Sequence, residues 1–263
     1  MPGSFHSTKE PFKVPDRVLV VVAHPDDIDF GIAGTVAELT KAGSYVAYCI
    51  VTSGEAGEDD MTVGSDELAA VREAEQAAAA GEVGVTTLHW LHHPDGMVEA
   101  NLALRRDISR IIRIEKPDAV ITGSPERNYD SMYGSHPDHI ETAEATLRAV
   151  YPDARNPRAF TEDLLDQGFE PHAASQVWIR HIESDLFVDI SASFDAKLRA
   201  LRAHQSQVAK RDAEFDLDKM MREWGERLAK EAVDRGIANF DGNGEAYDPA
   251  NRLAEAFRVL DTQ

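Results

Sequence analysis

The stretch Val18–Asp27, VLVVVAHPDD, constrains the fold of this chain more than any other. An apolar, largely β-branched run with no polar alternation is the pattern of a strand buried on both faces, so it requires helices above and below a sheet. It ends abruptly in His24, Pro25, Asp26 and Asp27. Such an ending delivers charged side chains to the carboxyl edge of the sheet, where open α/β folds bind their ligands. Much later the chain repeats the device as Ser135-His136-Pro137-Asp138-His139. Two clusters of imidazole and carboxylate point to one metal site.

The 263 residues suffice for one α/β domain with a small addition. Strands are expected at 17–23, 45–52, 87–91 and 118–122, and two more at 176–182 and 185–190, joined by a tight Glu183-Ser184 turn. Helices are expected near 32–42, 67–82 (capped by Ser65 or Asp66), 101–115, 137–150, 193–204, 212–235 and 249–259. A long Gly-, Ser- and Pro-containing connection at 123–135 fits a functional loop. The expected division is a loose tail over 1–15, the main domain over 16–207, and a helical extension over 208–263 packed on that domain.

Lys and Arg number 27 against 47 Asp and Glu, a formal charge of −20, so the surface repels phosphate backbones and anionic lipids. Nucleic acid and membrane partners are therefore not expected. The longest apolar stretch is too short to span a bilayer, and MPGSFHSTKE lacks the basic start and apolar core of a signal peptide, so a cytoplasmic protein is expected. The single cysteine, Cys49, precludes an intramolecular disulfide and sits in an apolar strand pattern. A Gly-x-Gly-x-x-Gly turn for a dinucleotide is missing after the first strand.

A catalytic Zn²⁺ takes three protein ligands and keeps a position open for water. His24, Asp27 and His139 supply that set, although Fe²⁺ or another divalent ion accepts the same ligand types. Asp26 is then the natural base for an attacking water, and a protonated His136 a donor to the leaving amine and the oxyanion, with Asp138 holding its ring. This is a hydrolytic site for an amide or ester. His92-His93-Pro94-Asp95 reads most simply as a turn.

AHPDD after the first strand, SGEAGE after the second, Arg72-x-x-Glu75 in an Ala-rich helix, HPDH after the fourth strand, and AHQSQ at 203–207 together resemble the PIG-L/LmbE family of metal-dependent de-N-acetylases. The resemblance covers about 17–207. It implies an α/β, Rossmann-like three-layer sandwich with a mostly parallel sheet and a C-terminal helical appendage. It further implies a homo-oligomer that removes the acetyl group from a small N-acetylglucosamine-type sugar or its conjugate, with Zn²⁺ on His24, Asp27 and His139. Glu55, Arg72 and Asp95 would lie near the sugar, and Tyr133 stands one step from a tyrosine that some members carry. One departure is Ile28, where the family often has Glu; the acidic residue, Asp29, comes one position later. Two alternatives share the pattern: an amidase for a larger acyl group, and a non-catalytic metal-binding protein.

Overall fold

The structure, a computed structural model, describes residues 4–8, 12–58, 60–129, 132, 135–180, 183–212, 216–237 and 252–262. The apolar run forms β2 (Arg17–Val22), near the middle of an eight-stranded sheet. It pairs in parallel with β3 (Tyr45–Ile50) on one side and β5 (Ala119–Thr122) on the other, so that Leu19 faces Ala47 and Val120. Outside these lie β4 (Thr87–Trp90), parallel to β3, and β6 (Gln176–Ile179), parallel to β5. The chain therefore winds outward from β2 through β3 to β4, then returns to the other side of β2 and winds outward again. The switch falls between β2 and β5, whose carboxyl ends carry the two His clusters, and a crevice at such a point is where doubly wound sheets bind ligands.

Alternation along β2 builds two separate core layers. Val18 and Val20 pack with Tyr48, Ile50 and Ile121 beneath α2 (Ala33–Lys41), α3 (Ser65–Glu82) and α6 (Phe194–Ala203). Leu19 and Val21 face the opposite way, against Ile108 and Ile112 of α4 (Leu102–Glu115) and Ala145 of α5 (Pro137–Arg148). Asn101 starts α4 by accepting a hydrogen bond from the Leu104 N–H. The cap expected at Ser65 or Asp66 is not used: Gly64 holds that position, with no side-chain bond. Among the described residues no helix is long and apolar enough to cross a membrane.

Three expectations are corrected at the other sheet edge. The helix expected over 249–259 is, from residue 254 onward, the strand β8 (Ala254–Asp261); residues 249–251 lie outside the described residues. Ala254, Glu255 and Ala256 carry helical propensity, but tertiary partners override it. Glu255 is tolerated in the interior because Lys197 reaches its Oε1 at 2.6 Å and the N–H groups of Gly34 and Thr35 donate to Oε1 and Oε2. Next, β7 (Leu186–Asp189) does not form a hairpin with β6, because β8 lies between them and is antiparallel to both. Finally, residues 5–7 of the expected loose tail form β1 (Phe5–Ser7), an edge strand on β7. Of the expected helical extension, the end of α7 (Gln205–Asp212) and α8 (Leu217–Asp234) remain, α8 packing Ala229 and Ala232 on Phe187, Ala254 and Ala256.

The Lys197–Glu255 pair makes β8 part of the core at the expense of a buried charge. Replacing Lys197 by Met would leave that carboxylate unpaired, which destabilises a protein by roughly 3–5 kcal/mol. Urea denaturation of Lys197→Met is expected to show a loss of this size, and a change under about 1 kcal/mol would contradict it.

Candidate metal centre

Both clusters are built from a strand end that turns at once into a helix. After β2 the His24 N–H donates to Asp27 Oδ2 at 2.9 Å, closing a tight turn, and α1 (Asp27–Gly31) begins. Asp26 precedes that helix at φ 87°, the left-handed region, where an L-residue is strained by about 1 kcal/mol or more. Its carbonyl accepts from the Asp29 and Phe30 N–H groups at 2.9 and 3.0 Å. After β5 the long loop leads to α5, with Pro137 in the first turn and His136 at the N-cap. His136 and His139, three apart, share one side of this turn.

The two strand ends meet through His24 and His139, with His24 Nδ1 3.1 Å from His139 Nε2. Asp27 Oδ1 lies 3.0 Å from the same His139 nitrogen, and its other oxygen 3.7 Å from His24 Nδ1. Ligands bound about 2.1 Å from one tetrahedral ion stand roughly 3.4 Å apart, so this spacing suits a single cation. The His136 ring completes the group, 5.1 and 5.3 Å from the rings of His24 and His139. His24, His136 and His139 lie close enough to hold one metal ion, as do His24, Asp95 and Asp138, and with Asp27 against His139 the His/Asp/His cluster is compatible with metal binding.

The far edge of His24 explains why Nδ1 is the nitrogen offered. Its Nε2 faces two carboxylates, Asp95 Oδ1 at 3.0 Å and Asp138 Oδ2 at 3.2 Å, and a nitrogen so placed carries the proton. Asp138 is itself fixed by the N–H groups of Gly96 and Val98 at 2.7 and 3.3 Å. The ring Asp138 holds is therefore that of His24, not that of His136 as the sequence suggested, since neighbours two apart on a helix do not face each other. His136 Nδ1 instead accepts from the Asp138 N–H at 3.3 Å, which leaves Nε2–H as the donor of the neutral ring.

Burial opposes the charge on His24, but Asp138, Asp95 and Asp27 push its pKa up to about 10. For Asp27 burial acts upward, and the charges of His139 and His24 outweigh it and hold the carboxyl far below its usual range. Asp26 goes the other way: burial and the Asp27 charge raise it to about 6, with Arg72, His204 and His24 resisting. Burial and the His24 charge keep His136 below the ordinary imidazole value. A carboxylate poised near neutrality beside a strongly acidic one is a division suited to a base and a ligand.

Of the residues expected around a sugar, three make supporting contacts within the protein. Glu55 Oε1 accepts from the Asp95 N–H and Asp95 Oδ2 from the Ala56 N–H, both at 2.9 Å, clasping the loops after β3 and β4. Asp95 thereby reaches His24, so the segment at 92–95 is more than a turn. Arg72 is buried at 4% exposure beneath Asp26, donating to the carbonyls of Gly54 and Pro25 at 2.8 Å and to Asp26 Oδ2 at 3.3 Å. A Cβ at Gly54 or Gly57 would lie within 2.4 Å of Arg72 Nη1, which accounts for both glycines of SGEAGE. Tyr133 lies outside the described residues.

Sequence reasoning missed two further features. Arg180, just past β6, packs its guanidinium on Gly31, one turn along α1 from Asp27, and its charge acts on Asp27 and His139. Its place at a strand's carboxyl end was the available signal. It borders a cavity of about 250 Å³ lined also by Phe30, Lys197, Met221, Trp224 and Glu255. The second is Gln76 of α3, which accepts from the Asp26 N–H at 2.9 Å and donates to Asp29 at the same distance. An amide in an Ala-rich helix gave no signal. His204 of AHQSQ closes on Asp29 at 2.8 Å, and Ser206 on Glu75 at 2.7 Å.

The brace on His24 is testable apart from catalysis. Groups that orient a ligating histidine contribute about 10- to 100-fold to metal affinity. Asp95→Ala is expected to weaken Zn²⁺ binding by that factor in a competition titration against a chromogenic chelator, and unchanged affinity would remove Asp95 from this role.

The chain is similar to known proteins in sequence and in fold. The family model PIG-L, described as GlcNAc-PI de-N-acetylase, matches residues 19–150. The diacetylchitobiose deacetylase of Thermococcus kodakarensis is 35% identical over 199 residues, covering 75% of this chain and 72% of that protein. A probable N-acetyl-alpha-D-glucosaminyl L-malate deacetylase 2 of Bacillus subtilis is 29% identical, covering 81% and 89%. The solved N,N'-diacetylchitobiose deacetylase of Pyrococcus horikoshii superposes with a TM-score of 0.78 at 29% identity, over 96% of this chain and 86% of that one.

Proposed function

The chain belongs to the PIG-L family, and from that premise we propose that it is a zinc-dependent hydrolase removing the N-acetyl group from an N-acetylglucosamine-type sugar or its conjugate. The observation that carries the reading is the convergence of His24 Nδ1, His139 Nε2 and Asp27 within 3.0–3.7 Å, beside an Asp26 whose pKa is raised to about 6. Two imidazole nitrogens and one carboxylate are the donor set of a catalytic Zn²⁺ site rather than a closed structural one. A divalent ion held by His24, Asp27 and His139 would polarise the acetyl carbonyl and lower the pKa of a water.

The remaining work falls to side chains of this chain. Asp26 accepts the proton of the attacking water at its carboxylate as the water oxygen bonds to the acetyl carbon. His136 Nε2–H, the donor fixed by the Asp138 N–H on the opposite nitrogen, bonds the oxyanion as it develops. Collapse breaks the C–N bond, and Asp26 returns its proton to the leaving nitrogen, giving acetic acid and the free amine, which ionise to acetate and ammonium. His136 thus serves as a neutral hydrogen-bond donor, and its lowered pKa is consistent with that form rather than with a standing imidazolium. Arg72 keeps the Asp26 carboxylate oriented from below.

Two measurements test this. Asp26→Asn should retain bound zinc while losing about 10²–10⁴-fold in kcat for amine release from N,N'-diacetylchitobiose, N-acetylglucosaminyl malate or N-acetylglucosaminyl inositol. Unimpaired turnover would refute the base. Removing the metal with a chelator should abolish amine release, and Zn²⁺ should restore it. A preference for bulkier acyl groups over acetyl in the same assay would shift the reading to an amidase.

A further inference from the structure

We propose that Gln76, Asp29 and His204 are positioning residues for Asp26: they hold its backbone in the left-handed conformation and so govern turnover, not metal or substrate binding. The inference rests on the reading of Asp26 as the base. The three side chains form one continuous chain of hydrogen bonds. The Asp26 N–H donates to Gln76 Oε1 at 2.9 Å, Gln76 Nε2 donates to Asp29 Oδ2 at 2.9 Å, and His204 Nε2 meets the same oxygen at 2.8 Å. All three are fully buried.

Each link admits one arrangement. An ionised carboxylate only accepts, so Gln76 must turn its NH₂ toward Asp29, and this alone leaves Oε1 facing the Asp26 N–H. His204 must likewise present its ring N–H to Asp29. Reversing any one member would set two acceptors or two donors face to face in a site without water access. The amide N–H is the group whose direction follows φ directly, and φ at Asp26 is 87° in a residue that is not glycine. A strained conformation persists only where its surroundings over-determine it. Here the restraint is applied at the strained residue's own N–H.

The chain is also anchored at its far end. His204 is the C-cap of α6, Ser206 donates from both its N–H and its hydroxyl to Glu75, the neighbour of Gln76 on α3, and Gln207 Nε2 donates to the Gly57 carbonyl at 3.2 Å. His204, Ser206 and Gln207 thus each fix an element that borders Asp26. The acidic residue displaced by Ile28 also finds its reason: Ile28 is a fully buried apolar residue of the core under α2, and Asp29, one position on, meets Gln76 and His204.

The test is a double-mutant cycle on zinc-loaded full-length protein, assayed by amine release from N,N'-diacetylchitobiose, with bound zinc and the thermal midpoint measured alongside. Gln76→Leu is expected to lower kcat roughly 10- to 100-fold, the scale of a small misplacement of a catalytic group, with KM and zinc content unchanged. In the Asp26→Asn background the same change should lower kcat no further, because Gln76 acts through Asp26. Additive losses, or a loss in KM or zinc content, would overturn the proposal. If Gln76→Leu does not fold, Asp29→Asn, which still accepts from Gln76 and His204, should keep most of the kcat that Asp29→Ala loses; equal losses would overturn it. Normal turnover by Asp26→Asn would instead refute the base, and the positioning would then be read from a crystal structure of Gln76→Leu, where an unchanged Asp26 φ counts against it.

Discussion

The ring of His24 is the contact on which the rest of the site depends. One edge is held by Asp95 and Asp138, and the other is thereby turned toward His139 and Asp27. Two imidazole nitrogens 3.1 Å apart share either a proton or a cation, and the surrounding carboxylates favour positive charge in either form. The same carboxylates that push the His24 pKa up to about 10 would favour a metal ion there, which would displace the proton on binding. The members gather on His24 from three strand ends: Asp27 after β2, Asp95 after β4, Asp138 and His139 after β5. The doubly wound sheet is the device that brings these loops to one edge, with the crevice between β2 and β5 at their centre.

Much of this was legible in the sequence because it is written in strong local contrast. The unbroken apolar run of β2 can only be a strand buried on both faces, and the abrupt change at His24 marks the sheet edge. HPDH announces itself in the same way, with Pro137 adding the helix start. What was not legible depends on partners distant in sequence. Asp95 looks like turn chemistry until the loop after β4 is laid against His24. Arg72 reads as a substrate contact, yet the glycines at 54 and 57 show that it belongs under the loop. β8 was hidden because Ala and Glu favour helices, and the partners that make a buried Glu255 tolerable in a strand, Lys197 and the Gly34 and Thr35 N–H groups, lie 58 residues or more away.

The buried polar network around Asp26 shows why such residues escape local reasoning. Gln76 sits where an Ala-rich helix would accept almost any small side chain, and Glu75 beside it looks like an ordinary solvated acid. Both become intelligible only from AHQSQ, which binds Glu75 through Ser206 and reaches Gln76 through His204 and Asp29. Three motifs far apart in the chain are thus parts of one polar cluster whose shared product is the placement of a single residue. A helix or strand pattern cannot reveal this, since none of the three is needed to form the element that carries it.

The distribution of charge follows from the same requirement. Asp26, Asp27, Asp29, Asp95 and Asp138 lie within a few side chains of one another, and the cations that act on them include Arg72, Arg180 and Lys197. Imidazoles supply the remainder, and they are the side chains that can pass between neutral ligand and charged partner near physiological pH. His204 stays with Asp29, far from the open side, where it neutralises a carboxylate without competing for the metal. His24 and His139 face the crevice, where a divalent ion can take over that neutralising role. His136, the most exposed of the four, accepts from the Asp138 N–H at Nδ1, and burial and the His24 charge hold its pKa below the ordinary imidazole value. The four histidines thus differ by the carboxylate, or the backbone N–H, that each one meets.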